Sequence, residues 1–353
     1  MAMKERDGTQ GGEGAAKVDV KNEVAQRLIE AMEQGGAPWQ RPWSVQAGNA
    51  MRPINPTTQN GYRGINRVLL ALSGRSSNLW MTYQQAADKG WQVKKGEKGT
   101  MIVKVVEMFR DRDAGGVSGG AASSASTGHG DSSGAKGSGG QAESEQRKAF
   151  ALRRYFVFNA EQIEGMPQAE ESAPVAFDPV EKAEAVIEAM KQQTGLMVIH
   201  GGDRACYVPS LDEVRLPPKR AFKTEYDYYS TACHEVCHST MHEKRLNRTE
   251  AYAKKWGDSA YALEELTAEI GAAILSSETG VARSPELAAA HLEDHAKYLR
   301  GWIKAIEKEP MAIFTAAKNA EKISEYVLGL ERQMTALAPH KEWIEEYESS
   351  RVR

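Results

Sequence analysis

Three cysteines in 353 residues, Cys206, Cys233 and Cys237, are too few and odd in number to form the paired framework of a small secreted domain. No apolar run approaches the roughly 18 residues that span a bilayer, and the stretch from Met1 to Lys17 is polar, without a signal-peptide core. These absences exclude a disulfide scaffold and an integral membrane protein, and they predict a soluble, cytoplasmic chain with no membrane partner. Apolar side chains are also scarce across "DRDAGGVSGGAASSASTGHGDSSGAKGSGGQAESEQ", where Gly, Ser and Ala dominate. Too little can be buried there to offset the entropy of ordering, so a disordered insert is expected over residues 111–146, with His129 solvated.

What is present divides in two. At about 150 residues per domain the length predicts two domains, and 41% hydrophobic residues are enough to build their cores. The net charge of -3 conceals an asymmetry, because Trp39 to Arg110 carries eleven Lys and Arg side chains against only Asp88, Glu97 and Glu107. Such a basic segment points to a polyanionic partner for one half of the chain. Trp39, Trp43, Tyr62, Trp80, Tyr83 and Trp91 interleave with it. Cations on phosphates and rings under unstacked bases are what single-stranded nucleic acid requires. The candidate contacts are Trp39, Arg41, Trp43, Tyr62, Arg63, Asn66, Arg67, Trp80, Tyr83, Lys94, Lys95 and Lys98. For any single Trp the competing expectation is a place in the core.

"KNEVAQRLIEAMEQG" spaces Val24, Leu28, Ile29 and Met32 as a helix, with Gly35 to cap it. "GTMIVKVVEMF" and "RRYFVFNAEQI" read as strands flanking the insert, hence a hairpin with a long excursion. The first half therefore runs over 18–167, after a disordered 1–17. "GMPQAEESAPVAFDP" carries a linker, at 168–178, before a second half over 179–345. There "PVEKAEAVIEAMKQQTG" is helical, "LMVIH" a strand, "ACYVPSLDEVRLP" a hairpin, and four helical stretches follow.

His234, Glu235 and His238 form H-E-V-C-H within "TACHEVCHSTMH". Residues four apart lie one turn apart on a helix face, so both imidazoles can close on one metal while Glu235 projects beside it. Cys233 and Cys237 read as small apolar residues on the buried face. His242 continues the ladder, but eight residues of helix rise about 12 Å whereas donors on one metal lie about 3–4 Å apart. A third ligand is better sought in "YALEELTAEIGAAILSS", where Ala268, Gly271, Ala272 and Ala273 permit close helix approach. Glu265 and Glu269 are four apart, so one can bind metal while the other accepts a hydrogen bond from a ligand histidine. The residues alone leave Glu264 and Glu265 open as the third ligand.

"HEVCH" followed by "EELTAEIGAAIL" resembles the Glu-zincin peptidases. Carried over by position, the resemblance implies one divalent metal, zinc or manganese, on His234, His238 and Glu265, with Glu235 as catalytic base and Glu269 supporting a histidine. Metal-assisted hydrolysis is the implied chemistry. "APWQRPW", "NPTTQNGYRGINRVLL", "WMTYQQAADKGWQVKKGEKGTMIVKV" and "YFVFNAEQIEGMP" look like the N-terminal single-stranded-DNA-binding domain of ArdC-type antirestriction proteins, found also in plasmid primases of the TraC type. "HEVCHSTMHEKRLNR" and "YLRGWIKAIEKEPMAIFTAAKNAEKISEYVL" resemble that family's zincin half. The implied fold class is α+β, a single-stranded-DNA-binding α+β domain before a mainly helical zincin-like domain with a small sheet. The implied function is plasmid-encoded antirestriction, with single-stranded DNA as partner and a host restriction protein or other peptide as a further one. Two alternatives stand beside it: a metal-dependent protease acting on DNA-associated proteins, and a single-strand binder with a structural metal site.

Overall fold

The computed structural model describes residues 19–34, 52–75, 77–110, 147–167, 179–248, 259–281 and 292–351. The expected disordered start, the 111–146 insert, the linker and Trp39, Arg41 and Trp43 lie outside the described residues.

Helix α1 (Val20–Glu33) begins where the Asp19 side chain accepts from Lys21 N, and it buries Val24, Leu28, Ile29 and Met32 on one face. Helix α2 (Ile65–Leu72) follows Gly64, whose φ of 54° places it in the region that favours glycine. Strand β1 (Trp80–Met81) leads into α3 (Tyr83–Asp88), opened by a capping box between Thr82 and Gln85. After β2 (Gln92–Val93), the long strands β3 (Thr100–Arg110) and β4 (Arg147–Asn159) pair antiparallel from Thr100 opposite Val157 to Arg110 opposite Arg147. This is the hairpin expected around the insert. β1 adds to the other edge of β4, and β5 (Ile163–Glu164) pairs with β2.

The second half opens with α4 (Pro179–Thr194). A three-stranded sheet in the order β6-β8-β7 follows, from β6 (Met197–His200), β7 (Cys206–Val208) and β8 (Glu213–Leu216), with β6 parallel and β7 antiparallel to β8. Helices α5 (Glu225–Ser239), α6 (Ser259–Thr279), α7 (Leu292–Lys308) and α8 (Ala312–Arg351) complete an α+β architecture. Among the described residues no helix is long and apolar enough to cross a membrane.

The two halves share one core. Val24, Leu28 and Met32 of α1, Ile65 and Val68 of α2, and Met101 and Val103 of β3 form a single apolar cluster with Leu266 and Ile270 of α6, Trp302 and Ile306 of α7, and Ile313 of α8. Each fully buried side chain of this size contributes about 1.5–3 kcal/mol. Ions reinforce the seam. Arg67 pairs with Glu278 at 3.0 Å, and Arg52 pairs with Glu321, whose other oxygen accepts from Gly64 N.

The aromatic expectation is corrected at Trp80. Its side chain is 0% exposed and packs with Leu70 and Val157 under the ring of Tyr62, so it cannot offer a face to a base. Both residues of β1 are buried, and Leu70 of α2 packs on Trp80, so a large ring at that position fills the core.

The shared core yields a direct test. With a protease site placed between Pro167 and Pro179, the cleaved protein should still run as one species in gel filtration without denaturant. Separation into two folded fragments would contradict the shared core.

Candidate metal centre

Helix α5 starts where the Thr224 hydroxyl accepts from Asp227 N. It carries His234 and His238 one turn apart, their ring centroids 4.7 Å from each other and nearly perpendicular. The opposite side of the helix is apolar. Cys233 and Cys237 are 1% and 0% exposed, and burial pushes the Cys233 thiol up to about 12 and that of Cys237 well above its ordinary value. Both are neutral thiols in the core, as the apolar reading of the sequence expects, and not thiolate ligands. Helix α6 approaches closely because Gly271 has no side chain: a Cβ there would lie 2.8 Å from Cys237 Sγ.

That approach brings three carboxylates of α6 against the two imidazoles. The Glu265 oxygens lie 3.5 Å from His234 Nε2 and 3.5 Å from His238 Nε2. Glu269 faces His234 Nδ1 at 3.3 Å, and Glu264 faces His238 Nδ1 at 3.1 Å. Of the two glutamates left open by the sequence, Glu265 sits beside both Nε2 atoms and Glu264 behind one ring. Arg248 closes the far side. Its guanidinium donates to both oxygens of Glu264, at 2.6 and 2.9 Å, and also to Cys237 O and Thr240 Oγ1. Neither Glu264 as a histidine partner nor Arg248 was visible in the sequence. Arg248 arrives through the turn at Asn247, where φ is 48°, and no local pattern announces that contact.

These contacts set the proton inventory. A carboxylate stands on each Nδ1, a placement that suits a proton there once a metal holds the Nε2 atoms, which face each other at 3.1 Å. Two ring nitrogens this close, with the Glu265 carboxylate beside both, suit protons or a metal ion between them. Burial alone would lower the imidazole pKa values, but the facing carboxylates override it, raising His238 to about 9 and His234 well above its ordinary value. Burial would raise the Glu265 carboxyl, yet both imidazoles hold it well below the usual carboxylate range. One ligand atom each from His234, His238 and Glu265 lies within 4.8 Å of the others. Imidazole donors at about 2.0 Å and carboxylate donors at about 2.0–2.2 Å from an ion require such a spacing, so the donor set fits one divalent cation with a position left open. Glu235 is 8% exposed and makes no hydrogen bond or ion pair with a described residue. His242 stands apart, with Nε2 3.9 Å from Asp212 Oδ2.

In the first half the expected nucleic-acid contacts separate into two groups. Asn66 clamps the backbone of Val103 through both its amide N–H and its carbonyl, Arg67 is 7% exposed in the seam with Glu278, and the Tyr62 hydroxyl donates to Trp80 O. These three, like Trp80, are structural, because each spends its polar group or ring on the fold. Arg63, Tyr83, Lys94, Lys95 and Lys98 are exposed, although Arg63 pairs with Glu325 at 2.9 Å and Lys94 Nζ donates to Glu161 O.

Two imidazoles and a glutamate from successive helices define a zincin-like centre, and a family model described as zincin-like metallopeptidase matches residues 184–319. A model of the N-terminal domain of anti-restriction factor ArdC matches residues 18–158. The fold is similar to the metal-free crystal structure of antirestriction ArdC protein from the R388 plasmid, with TM-score 0.66 and 29% identity over 90% of this chain and 99% of that one. The Mn(II)-bound structure of the R388 protein gives TM-score 0.61 and 30% identity over 89% of this chain and 98% of that one. Two DNA primases TraC of Escherichia coli are 40% and 39% identical over 88% of this chain, which spans only 20% and 27% of their length. Uncharacterized protein y4eC of Sinorhizobium fredii is 30% identical over 88% of this chain and 91% of its own. The chain belongs to the ArdC-type antirestriction protein family.

The Arg248–Glu264 pair is buried, at 10% and 7% side-chain exposure. Removing the cation leaves a buried carboxylate uncompensated, so Arg248→Ala should lower unfolding free energy by about 3–5 kcal/mol in urea titration. A change under about 1 kcal/mol would show that the pair carries little of the fold's stability.

Proposed function

We propose that this protein binds single-stranded DNA through its N-terminal half and holds one divalent metal on His234, His238 and Glu265, protecting incoming DNA from host restriction. The observation that carries the metal assignment is the inward pair of Nε2 atoms at 3.1 Å, each ring fixed by a carboxylate on Nδ1. The Mn(II)-bound state of the similar R388 protein supports it. Two nitrogens and a carboxylate suit zinc and also accept manganese. The DNA assignment draws on the match to the ArdC N-terminal domain and on the exposed lysines of the loop before β3.

When bound, the metal supplies Lewis acidity at the open position. Glu264 and Glu269 hold the imidazole protons at Nδ1 and so keep Nε2 available. Glu235 makes no hydrogen bond or ion pair with a described residue, which suits it to accept a proton from a water attacking a peptide carbonyl. That carboxylate beside the two histidines favours a second reading, in which the centre is an active peptidase directed at DNA-associated proteins.

Elemental mass spectrometry of the purified protein should find about one zinc or manganese per chain, lost in His234→Ala and Glu265→Ala and kept in Glu235→Gln. Absence of metal in the wild type even after incubation with either ion would remove the metal assignment. Protection of a transferred plasmid that survives Glu235→Gln supports the binding reading. Its loss, with metal and DNA affinity intact, supports the peptidase.

A further inference from the structure

Of the rings expected to stack on bases, Trp80 is core, Tyr83 is exposed, and Trp39 and Trp43 lie outside the described residues, while Phe156 of the same half is exposed as well. Phe156 is 46% and Tyr83 53% exposed, and Phe158 is partly buried. Phe156 and Phe158 lie two apart on β4, hence on one face, and Tyr83 packs edge-on to Phe158 with centroids 6.3 Å apart. Gly99 borders this row. A Cβ there would stand 3.0 Å from Phe156 Cβ and 3.3 Å from Phe158 Cζ, so any side chain would crowd the rings. The φ of Gly99 is not in the left-handed region, and space rather than backbone freedom accounts for the glycine.

The chain running into Gly99 is basic. Lys94, Lys95 and Lys98 are exposed, and Lys95 and Lys98 make no ion pair with a described residue. The acid in that loop, Glu97, is paired with Arg75 at 3.1 Å and accepts from the Gln162 amide at 2.7 Å. Gln162 also donates to Lys98 O and so pins the loop beside β4. The acids nearest in sequence outside the loop are Asp88, held by Gln84, and Glu107 on β3, and Glu161 close to Lys94 is paired with Arg75 at 3.6 Å.

Resting on the single-strand reading above, we infer that Tyr83, Phe156 and Phe158 form a stacking ladder for successive bases of single-stranded DNA, its phosphates running along Lys95 and Lys98. Three contiguous rings beside a positive loop are what a sequence-tolerant single-strand platform needs. A protein partner would be poorly served by so positive a rim. The opposite face of the ribbon offers less, with Tyr155, 40% exposed, as its exposed ring among the described residues.

The test uses the full chain, fluorescence anisotropy with a labelled oligothymidylate of about 16 nucleotides, and thermal melting as a fold control. Tyr83→Leu and Phe156→Leu should each weaken binding about 5- to 100-fold, Phe156→Trp should retain it, and melting should stay unchanged. An oligonucleotide containing 2-aminopurine should be quenched by the wild type and less so by Phe156→Leu. Affinities of both leucine variants within about twofold of the wild type would overturn the ladder. Binding lost instead in Tyr155→Leu would overturn it in favour of the opposite face. A wild type that binds no single strand at low salt would remove the reading beneath it, an outcome distinct from the other two.

Discussion

Everything at the centre follows from two hydrogen bonds, Glu264 to His238 Nδ1 and Glu269 to His234 Nδ1. With a metal bound they would hold each ring's proton at Nδ1, and the α5 backbone directs both Nε2 atoms at one place. A carboxylate at 3.5 Å from each Nε2 completes a cage whose charge calls for a cation. The helices can come close enough for this only because Gly271 meets Cys237, and because both thiols on that side of α5 pack as neutral apolar groups. Packing and site chemistry are thus one constraint.

Helix α6 ties the centre to the rest of the chain. Its first turns bear Glu264, Glu265 and Glu269, its middle contributes Leu266 and Ile270 to the shared core, and near its end Glu278 holds Arg67 of the first half. A movement of the N-terminal half that disturbed this seam would act on the helix supplying the carboxylates. The first half is therefore a structural neighbour of the centre, not an appendage on a tether.

Local spacing explains what could be read from the sequence. His234 and His238 were legible because four residues on a helix fix their relation whatever surrounds them, and the β3–β4 hairpin because both strands are rich in branched and aromatic residues. Glu264 and Glu265 could not be separated, since adjacent helix positions differ by only about 100° and which one enters the cage depends on the crossing of α5 and α6. Arg248 escaped because its partner Glu264 is 16 residues away on another helix, beyond any local spacing rule. The aromatic reading went astray at Trp80 for a related reason: a cluster of rings shows that aromatic surface is needed, but its division between core and solvent is set by which sheet face α2 covers. Phe156 and Phe158, alternating along β4, were passed over in favour of the tryptophans.

The most direct test of the account is a crystal structure of the zinc- or manganese-loaded protein with anomalous scattering at the metal edge. The account predicts one strong peak about 2.0–2.2 Å from His234 Nε2, His238 Nε2 and a Glu265 oxygen, with Glu264 and Glu269 still on the Nδ1 atoms. A peak coordinated by Glu264, Glu269 or a cysteine sulfur, or no peak between the imidazoles at all, would contradict it.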